Sequence, residues 1–304
     1  MSVRDELGKR MKTFYEEIPK TKLMRRVPVA IRIDGKAFHT FTKGFQKPFD
    51  EVLIKSMQDT MKYLCENIQG CVLGYTQSDE ITLILVDYKK LTSSAWFDYE
   101  VQKVCSIAAS MATMAFNKYF SENINSECYV FDNELLDNGD FNPNYKNEYL
   151  IDLYTTHIKA SYKGAMFDAR CFNIPKEEVA NLIYWRQLDA TRNSIQMVGQ
   201  ANFSHKELQN KSCNQIQDML MTQKGINWND LPIHQKIGSC CVKQEYFIPR
   251  DELPEKYKSN AKPRTIDPEE YGVCRTHWII DKEIPIFKGG NRKYIEDLIY
   301  IGKE

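Results

Sequence analysis

Two acidic side chains stand at positions where buried strands are predicted to end. Asp34 follows the predicted strand 27–33, which is apolar except for Arg32, and Asp79 lies in a short polar turn between two runs rich in Val, Ile and Leu. If these strands are neighbours, the carboxylates converge, as a site for two divalent metal ions about 3.5–4 Å apart requires. The spacing predicts phosphoryl or nucleotidyl transfer, with Asp34 and Asp79 as metal ligands and catalytic residues.

The residues beside the two aspartates fit the same chemistry. Gly35 has no Cβ, so a backbone carbonyl there can approach a metal ion closely. Glu80 points away from Asp79 once the strand has begun, so among the catalytic candidates we expect it to orient the site rather than to bind metal. Asp-Gly and Ser-Asp pairs are also common in ordinary turns, and the prediction therefore depends on both pairs occurring together.

A basic loop after the first aspartate is the predicted triphosphate site. Amide groups that turn away from a strand end commonly face phosphate, and here they belong to Gly35, Lys36, Ala37 and Phe38. Lys47 adds a point charge, while Phe38 or His39 could stack on a base. The segment 20–48 holds eight Lys and Arg residues against one acid, although a solvated basic surface would have the same composition.

The elements around these residues predict an α+β fold with a polymerase-palm core. Apolar residues recur with the period of two typical of strands or with the i, i+3/i+4 spacing typical of helices. The predicted order is β-α-β-β-α-β, the ferredoxin-like arrangement shared by polymerase palms and nucleotide cyclases. Its elements are strand 27–33, helix 50–68, strands 71–75 and 81–86, helix 97–120 and strand 165–174.

The remaining segments are predicted to flank this core. A helix covers 2–18, and the asparagine-rich segment 123–149 is predicted to be an irregular excursion. Beyond Pro175 we expect a long helix to about residue 198, a helix at 205–221 and short strands within 237–247 and 277–280. We therefore divide the chain into a palm-like catalytic region, 1–175, and a helical and mixed C-terminal region, 176–304, that packs on it and contacts RNA.

The long helix carries a polar stripe. Arg186, Asp189 and Asn193 fall at i, i+3 and i+7, and Arg192 is adjacent. Residues with this spacing share one face of a helix. The stripe is explained equally well by solvation of an exposed helix and by contact with RNA, and its spacing leaves both interpretations open.

Composition argues against several other classes of protein. The 304 residues include 41 basic and 41 acidic side chains, so a nucleic-acid partner must be held by a local basic patch. The nine cysteines include no Cys-x-x-Cys pair, which argues against a zinc ribbon and favours the reduced thiols of a cytoplasmic protein. No stretch approaches 18 consecutive apolar residues, and the amino terminus lacks the apolar run of a secretory signal, so we expect no membrane partner.

Five motifs, in order between about residues 28 and 195, resemble those of the tRNA-His guanylyltransferase family. Their combination is specific, because each is short but all five occur with the family's order. The motifs are Arg32-Ile33-Asp34-Gly35-Lys36-Ala37-Phe38-His39, Lys47-Pro48-x-Asp50, Tyr75-x-Gln77-Ser78-Asp79-Glu80, Phe167-Asp168-x-Arg170 and Trp185-Arg186-Gln187-x-Asp189.

That resemblance implies a reverse polymerase that adds nucleotides to the 5′ end of tRNA. ATP or GTP first activates the RNA 5′-phosphate, and the 3′-hydroxyl of an incoming nucleotide, usually GTP, then attacks it. In such enzymes the residues matching Asp34, Asp79 and the carbonyl of Gly35 bind two Mg²⁺ ions. The loop 34–39, together with Ser78 and Asp79, holds the nucleotide.

The resemblance also implies contacts with the triphosphate and the RNA, and an oligomeric state. The residue matching Lys47 contacts a triphosphate in these enzymes. Family members typically form homotetramers, so that the RNA surface can span subunits. We expect RNA contacts at basic and polar residues near the predicted site, namely Arg26, Arg170, Arg186, Arg192 and Asn193.

One departure from the family pattern bears on the substrate. Eukaryotic members carry His-Ile-Asn-Asn after the Trp-Arg-Gln helix, whereas this chain has Thr191-Arg192-Asn193-Ser194. The difference resembles the Thg-like branch, which favours templated repair of 5′-truncated tRNA over untemplated guanylate addition to tRNA-His. Two further alternatives are a palm-type nucleotide cyclase, which needs metals but no RNA, and a non-catalytic RNA-binding protein. The presence of both aspartates argues against the second of these.

Overall fold

The computed structural model describes residues 3–128, 148–260, 262–263 and 271–301. The strands in these ranges are β1 (Val29–Gly35), β2 (Cys71–Gln77), β3 (Glu80–Leu85), β4 (Phe167–Asn173), β5 (Ser239–Pro249), β6 (Lys262–Pro263) and β7 (Tyr271–Asp281). The α-helices are α1 (Val3–Met11), α2 (Phe38–Phe41), α3 (Glu51–Asn67), α4 (Val101–Cys128), α5 (Glu148–Lys163), α6 (Lys176–Asn202), α7 (His205–Leu208), α8 (Cys213–Lys224), α9 (Ile233–Ile237) and α10 (Lys293–Ile299). Among these described helices, none is both long and apolar enough to cross a lipid bilayer.

The first four strands form the predicted palm. Their order in the sheet is β4-β1-β3-β2, and every neighbouring pair is antiparallel, as in a ferredoxin-like fold. Because β1 lies between β3 and β4, Asp34 pairs with Glu80 on one side and with Asp168 on the other. The α+β palm prediction is therefore confirmed, and the three acids lie in one row across the sheet.

Alternation of side chains along the strands gives the sheet two packed faces. Ile31 and Ile33 belong to a core that includes residues of α3 and α4. Ala30 belongs to a second core on the opposite face, formed with α6 and α10. Since successive residues of a strand point to opposite faces, Arg32 and Asp34 lie on the face that α6 covers.

The predicted and observed elements differ in several places. Helix α1 ends at Met11, and a π-helix, Lys12–Glu16, continues it instead of an α-helix to residue 18. Helix α4 reaches Cys128, while most of the predicted excursion 123–149 lies outside the described residues. Helix α5 has no counterpart in the prediction, because its β-branched Ile and Thr residues weaken the local helical signal.

The C-terminal strands extend the palm sheet. Strand β5 pairs with β2 through Ser239, Cys240 and Cys241, and β7 pairs along most of β5. Both strands have eleven residues. Strand β5 lies two positions after the predicted run 237–247, and β7 is longer than the predicted run 277–280, because main-chain pairing continues through polar positions that hide the apolar pattern. The sheet thus continues on both sides of residue 175, and the division of the chain at that position stays a prediction.

Close packing requires a glycine at the end of β1. A Cβ on Gly35 would lie 2.2 Å from Cδ2 of Phe38, well inside van der Waals contact. The Phe38 ring is buried and packs against Phe41, Phe116 and Phe167, with ring centroids 5.2–5.5 Å apart. The sharp departure of the chain from β1 into its loop therefore depends on Gly35 for steric reasons as well as for any metal contact.

We expect Gly35→Ala to lower the free energy of unfolding by about 1–3 kcal/mol, because the added methyl group overpacks the core at Phe38. Urea unfolding followed by circular dichroism would measure the change. Gly290→Ala is the matched control, since a Cβ there meets nothing within 4 Å, and its effect should stay below about 0.5 kcal/mol. Equal stability of the Gly35 variant and the natural protein would contradict this account.

Candidate active site

The two predicted aspartates meet at one edge of the sheet. Asp34 is the penultimate residue of β1, and Asp79 lies in the two-residue turn that joins β2 to β3. The backbone N–H of Gly35 donates a hydrogen bond to the carbonyl oxygen of Asp79, at 3.1 Å. This bond holds the end of β1 against the turn, so the two acids are neighbours although two helices and a strand separate them along the chain.

Electrostatics at this edge favour a cation. Both aspartates are half-buried, and among the described residues neither has a lysine or arginine partner. Burial raises the pKa of Asp79, and the charge of Asp34 raises it further. The Ser78 hydroxyl donates a hydrogen bond to Oδ1 of Asp79 at 3.0 Å, which lowers that pKa without offsetting burial. The pair is a local concentration of negative charge that a cation would stabilise.

The oxygen donors at the edge fit a hard divalent ion. The two carboxylates and the carbonyl of Gly35 are the donor type that Mg²⁺ prefers. No group of three or more His, Cys, Asp or Glu side chains suited to a metal occurs in the described part of the chain. An ion held by Asp34, Gly35 and Asp79 would therefore complete its coordination with water or phosphate oxygens, as Mg²⁺ commonly does.

Glu80 occupies a different environment from its neighbour in sequence. Its side chain is buried, with Oε1 2.7 Å from Nε of Arg186 and Oε2 3.2 Å from Nε of Arg32. Burial raises the pKa of Glu80, while the two guanidinium groups counteract that effect. Because both carboxylate oxygens are engaged, the geometry favours the predicted orienting role over metal ligation. Arg32 was open to prediction, since it precedes Asp34 by two positions on the same face of β1.

The predicted phosphate loop offers fewer free amides than expected. The N–H of Gly35 is bonded to Asp79, and that of Lys36 donates to the carbonyl of Met166 at 2.9 Å. The amides of Ala37 and Phe38 remain, at the start of α2, where Ala37 has a left-handed conformation with φ of 53°. The loop thus presents two candidate donors to phosphate, and the prediction of four is wrong.

Among the aromatic and basic side chains predicted to contact the nucleotide, one is buried and three are exposed. Stacking of Phe38 on a base is excluded by its place in the aromatic core, so only its backbone can take part. Lys36 and His39 are exposed beside the site, and Lys47 is exposed in the segment that leads to α3. Their contacts with a nucleotide stay predictions.

The predicted RNA contacts fall in separate places. The side chains of Arg170 and Arg192 are 54% and 60% exposed. Arg26 is also exposed, but it precedes β1 at the end of the strand opposite Asp34. Arg186 is buried between Glu80 and Asp189, at 2.9 Å from the latter. Its predicted exposure to RNA is therefore wrong, because α6 turns this part of its polar stripe toward the sheet.

A cleft beside the β2–β3 turn joins residues that are far apart in the sequence. Ser78, Asn193 and His234 of α9 line it. Both ring nitrogens of His234 are buried and lack a hydrogen-bond partner among the described residues, and burial, then the charge of Lys282, lowers its pKa. A neutral imidazole offers a ligand one donor and one acceptor. No local sequence signal marks His234, because the β2–β5 pairing brings it here.

Arg186→Ala should lower the free energy of unfolding by about 3 kcal/mol, because it leaves Glu80 buried with a single basic partner. Arg192→Ala is the matched control: it also removes a partner of Asp189, but from an exposed site, so its cost should be below about 1 kcal/mol. Urea unfolding measures both. A similar loss of unfolding free energy in the two variants would show that the ion pair between Glu80 and Arg186 does not anchor α6.

Asp79→Asn should raise the melting temperature at neutral pH in the absence of divalent metal, by on the order of 2 °C. A carboxyl whose pKa is raised by folding makes the folded state less stable as pH rises through that pKa, so removing the charge relieves the cost. The difference should vanish at acidic pH, where the carboxyl is protonated in both states. Thermal melts across this pH range test the idea, and a less stable variant at pH 7 would refute it.

Comparison with known proteins agrees with this geometry. The family profile described as Thg1, tRNAHis guanylyltransferase, matches residues 8–175. A solved structure of a bacterial tRNA(His) guanylyltransferase (Thg1)-like protein in complex with ATP is 38% identical, with a TM-score of 0.71 over 97% of this chain and 100% of that chain. Another, in complex with GTP, is 36% identical, with a TM-score of 0.68 over 98% of this chain and 100% of that chain.

A more distant relative carries the same enzymatic name. The tRNA(His) guanylyltransferase of Saccharomyces cerevisiae is 25% identical over 234 residues, which cover 71% of this chain and 82% of the yeast protein. The family profile spans more than half of the present chain, and its matched range contains both aspartates of the site. This protein therefore belongs to the tRNA(His) guanylyltransferase (Thg1) family of nucleotidyltransferases.

Proposed function

We propose that this protein is a metal-dependent 3′–5′ nucleotidyltransferase that adds nucleotides to the 5′ end of tRNA, with templated repair of truncated ends as its main reaction. The observation that carries the proposal is the meeting of Asp34 and Asp79 at the edge of a palm sheet in a nucleotidyltransferase family. Two half-buried carboxylates without a basic partner in the described ranges suit cation-assisted transfer at phosphorus.

Two Mg²⁺ ions are the metal cofactor of this proposal, with Asp34, Asp79 and the carbonyl of Gly35 as protein ligands. When bound, such ions neutralise phosphate charge and lower the pKa of an attacking hydroxyl. The chain itself supplies orientation. The Gly35 amide holds the turn that carries Asp79, and Glu80, tied to two arginines, is a positioning residue of the strand that follows.

ATP and GTP are the proposed nucleotide substrates. The bacterial Thg1-like protein binds each of them in its solved structures. In this chain the amides of Ala37 and Phe38 have no hydrogen-bond acceptor among the described residues, and Lys36, His39 and Lys47 are exposed nearby. These groups support a triphosphate site beside the carboxylates. ATP or GTP would transfer its nucleotidyl group to the RNA 5′-phosphate with release of pyrophosphate. The 3′-hydroxyl of the incoming nucleotide would then displace the activating nucleotide as a monophosphate.

Two observations favour templated repair over untemplated guanylate addition. The segment 191–194 departs from the His-Ile-Asn-Asn pattern of eukaryotic members. In structural comparison, the similarity to the bacterial Thg1-like protein also extends over 97% of the chain, whereas that to the yeast guanylyltransferase covers 75%. A binding surface that lacks the eukaryotic motif has fewer means of selecting tRNA-His, so base pairing to the opposite strand becomes the source of specificity.

The assembly and the location of the protein complete the proposal. We propose a homotetramer, so that RNA contacts come from more than one subunit, and light scattering measured together with size-exclusion chromatography tests this state. Action on tRNA and a set of nine cysteines without a zinc-type pair support a cytoplasmic location.

We expect Asp34→Asn and Asp79→Asn each to reduce both activation and nucleotide addition by at least 10³-fold, because each removes a charge that holds the metal ions. The two steps are measured separately with 5′-³²P-labelled, truncated tRNA, by resolving the capped intermediate from the extended product. Asp218→Asn is the control, since it removes an exposed acid on α8 rather than on the sheet. A loss at Asp218 as large as that at Asp34 would contradict the assignment of the metal pair.

Templated repair predicts that the added nucleotide follows the base opposite the missing position. The test uses a set of 5′-truncated tRNAs with each of the four opposing bases and all four nucleoside triphosphates. Incorporation of the complementary nucleotide should exceed that of the others by at least tenfold. Addition of guanylate whatever the opposing base would support the untemplated alternative, and a cyclic product from GTP alone would support a cyclase.

A further inference from the structure

An exposed tryptophan lies next to the candidate site on the face of the sheet that α6 covers. Trp185 is 50% exposed. Its ring is backed by two guanidinium groups, with Cζ of Arg186 at 4.4 Å and Cζ of Arg32 at 5.6 Å from the ring centroid. Since Glu80 holds both arginines, the indole has a fixed support and presents an open aromatic surface.

The indole of Trp185 lies close to the edge of the sheet that carries Asp34 and Asp79. Arg32 precedes Asp34 by two residues on the same strand face, which corresponds to about 6.6 Å. Trp185, in contact with Arg32, is therefore within reach of a single nucleotide whose phosphate lies at the aspartates. The loop 36–39 lies on the other side, because its Phe38 packs into the core formed with α4.

Positive charge flanks the indole. Arg170 is the cross-strand neighbour of Arg32 on β4, and Arg192 follows Trp185 by two turns of α6. Each is more than half exposed and pairs with one acid, Asp168 or Asp189, so other guanidinium donors have no partner within the described ranges. We call Trp185, Arg170 and Arg192 the Trp185 patch. An aromatic face between two exposed arginines matches the chemistry of a nucleotide in a strand, whose base stacks and whose phosphates take charge-assisted hydrogen bonds.

We propose that the Trp185 patch binds the 5′-terminal nucleotide of the RNA substrate, with its base stacked on the Trp185 indole and its backbone phosphates on Arg170 and Arg192. The inference rests on the proposed function and specifies how RNA enters the site. The RNA end approaches the aspartates from the α6 face, while the nucleoside triphosphate approaches from the loop 36–39. The two reacting groups then meet at Asp34 and Asp79 without sharing a binding surface.

Steady-state kinetics give the first test. Trp185→Ala should raise KM for 5′-truncated tRNA about tenfold and leave KM for ATP and GTP within twofold, and Trp185→Phe should recover most of the loss. Tyr300→Ala is the matched control: Tyr300 is 53% exposed and has a cation, Lys176, 5.8 Å from its ring, but it follows α10 and lies beside the first residue of α6, nine positions before Trp185. An equal rise in KM for RNA and for the triphosphates would overturn the proposal.

An abasic substrate isolates the stacking contact. Removing only the base of the 5′-terminal nucleotide should weaken binding to the natural protein about tenfold and to Trp185→Ala less than twofold, as measured by filter binding without triphosphate. The loss of affinity on removing the base is a ratio of two affinities measured with the same protein. Partial unfolding of a variant lowers both affinities equally and therefore does not change this ratio. Equal losses for both proteins would show that the indole does not touch this base.

Two further measurements separate the remaining outcomes. Binding of truncated tRNA should quench tryptophan fluorescence in the natural protein, and Trp185→Phe should lose that quenching, even if no 5′ extension occurs. If RNA quenches the fluorescence but the protein does not extend its 5′ end, the proposed function is refuted while the proposed RNA contact at Trp185 stands. If Trp185→Ala instead changes the oligomeric state in light scattering while RNA affinity is unchanged, the patch is a subunit contact and the inference is overturned.

Discussion

The antiparallel pairing of β1 with β3 is the constraint on which the rest of the site depends. It sets Asp34 opposite Glu80, and the hydrogen bond from Gly35 to Asp79 adds a third carboxylate to the same edge. Like charges brought together in partly buried positions repel each other and lose hydration, which disfavours their ionised forms. The register of two strands thus creates an electrostatic cost that the surrounding residues must offset.

The fold treats these acids in two ways. Glu80 lies beneath Arg32 and Arg186, and its ion pairs join β1, β3 and α6 in one contact. A buried ion pair adds little net stability, but removing one partner is costly, so the contact resists changes in the register of β3 and the position of α6. Asp34 and Asp79 have no such partner among the described residues, which leaves their charge available to a cation. The ion pairs that add rigidity and the charge left available to a cation therefore belong to adjacent residues, Glu80 and Asp79.

Two surfaces converge on this edge from opposite faces of the sheet. The loop after β1 is anchored by Phe38 in the core beneath α4, while α6 carries Trp185, Arg192 and the cleft residue Asn193 past the other face. A reaction between a nucleoside triphosphate and an RNA end needs both reactants held in a defined geometry at the same point. A sheet edge reached from both faces would meet that requirement of the proposed reaction with fixed elements.

The order of the palm elements and the two aspartates were accessible from the sequence by itself. Strand alternation, helical spacing and turn residues are local properties, so they indicate where β1 ends and where the β2–β3 turn lies. Burial is not local. Phe38 follows a strand end, where exposure is common, yet Phe116 and Phe167 cover it. Arg186 lies on a polar stripe, yet Glu80 draws it inward.

The tertiary structure alone decided which polar groups are structural and which are free to bind ligands. His234 reaches the cleft only because β5 pairs with β2, and Trp185 gains its support only because two arginines converge on Glu80. In each case the partner lies many residues away, and no short-range pattern records the contact. A sequence determines the chemistry that its side chains can perform, whereas packing between distant elements determines which of them remain exposed to perform it.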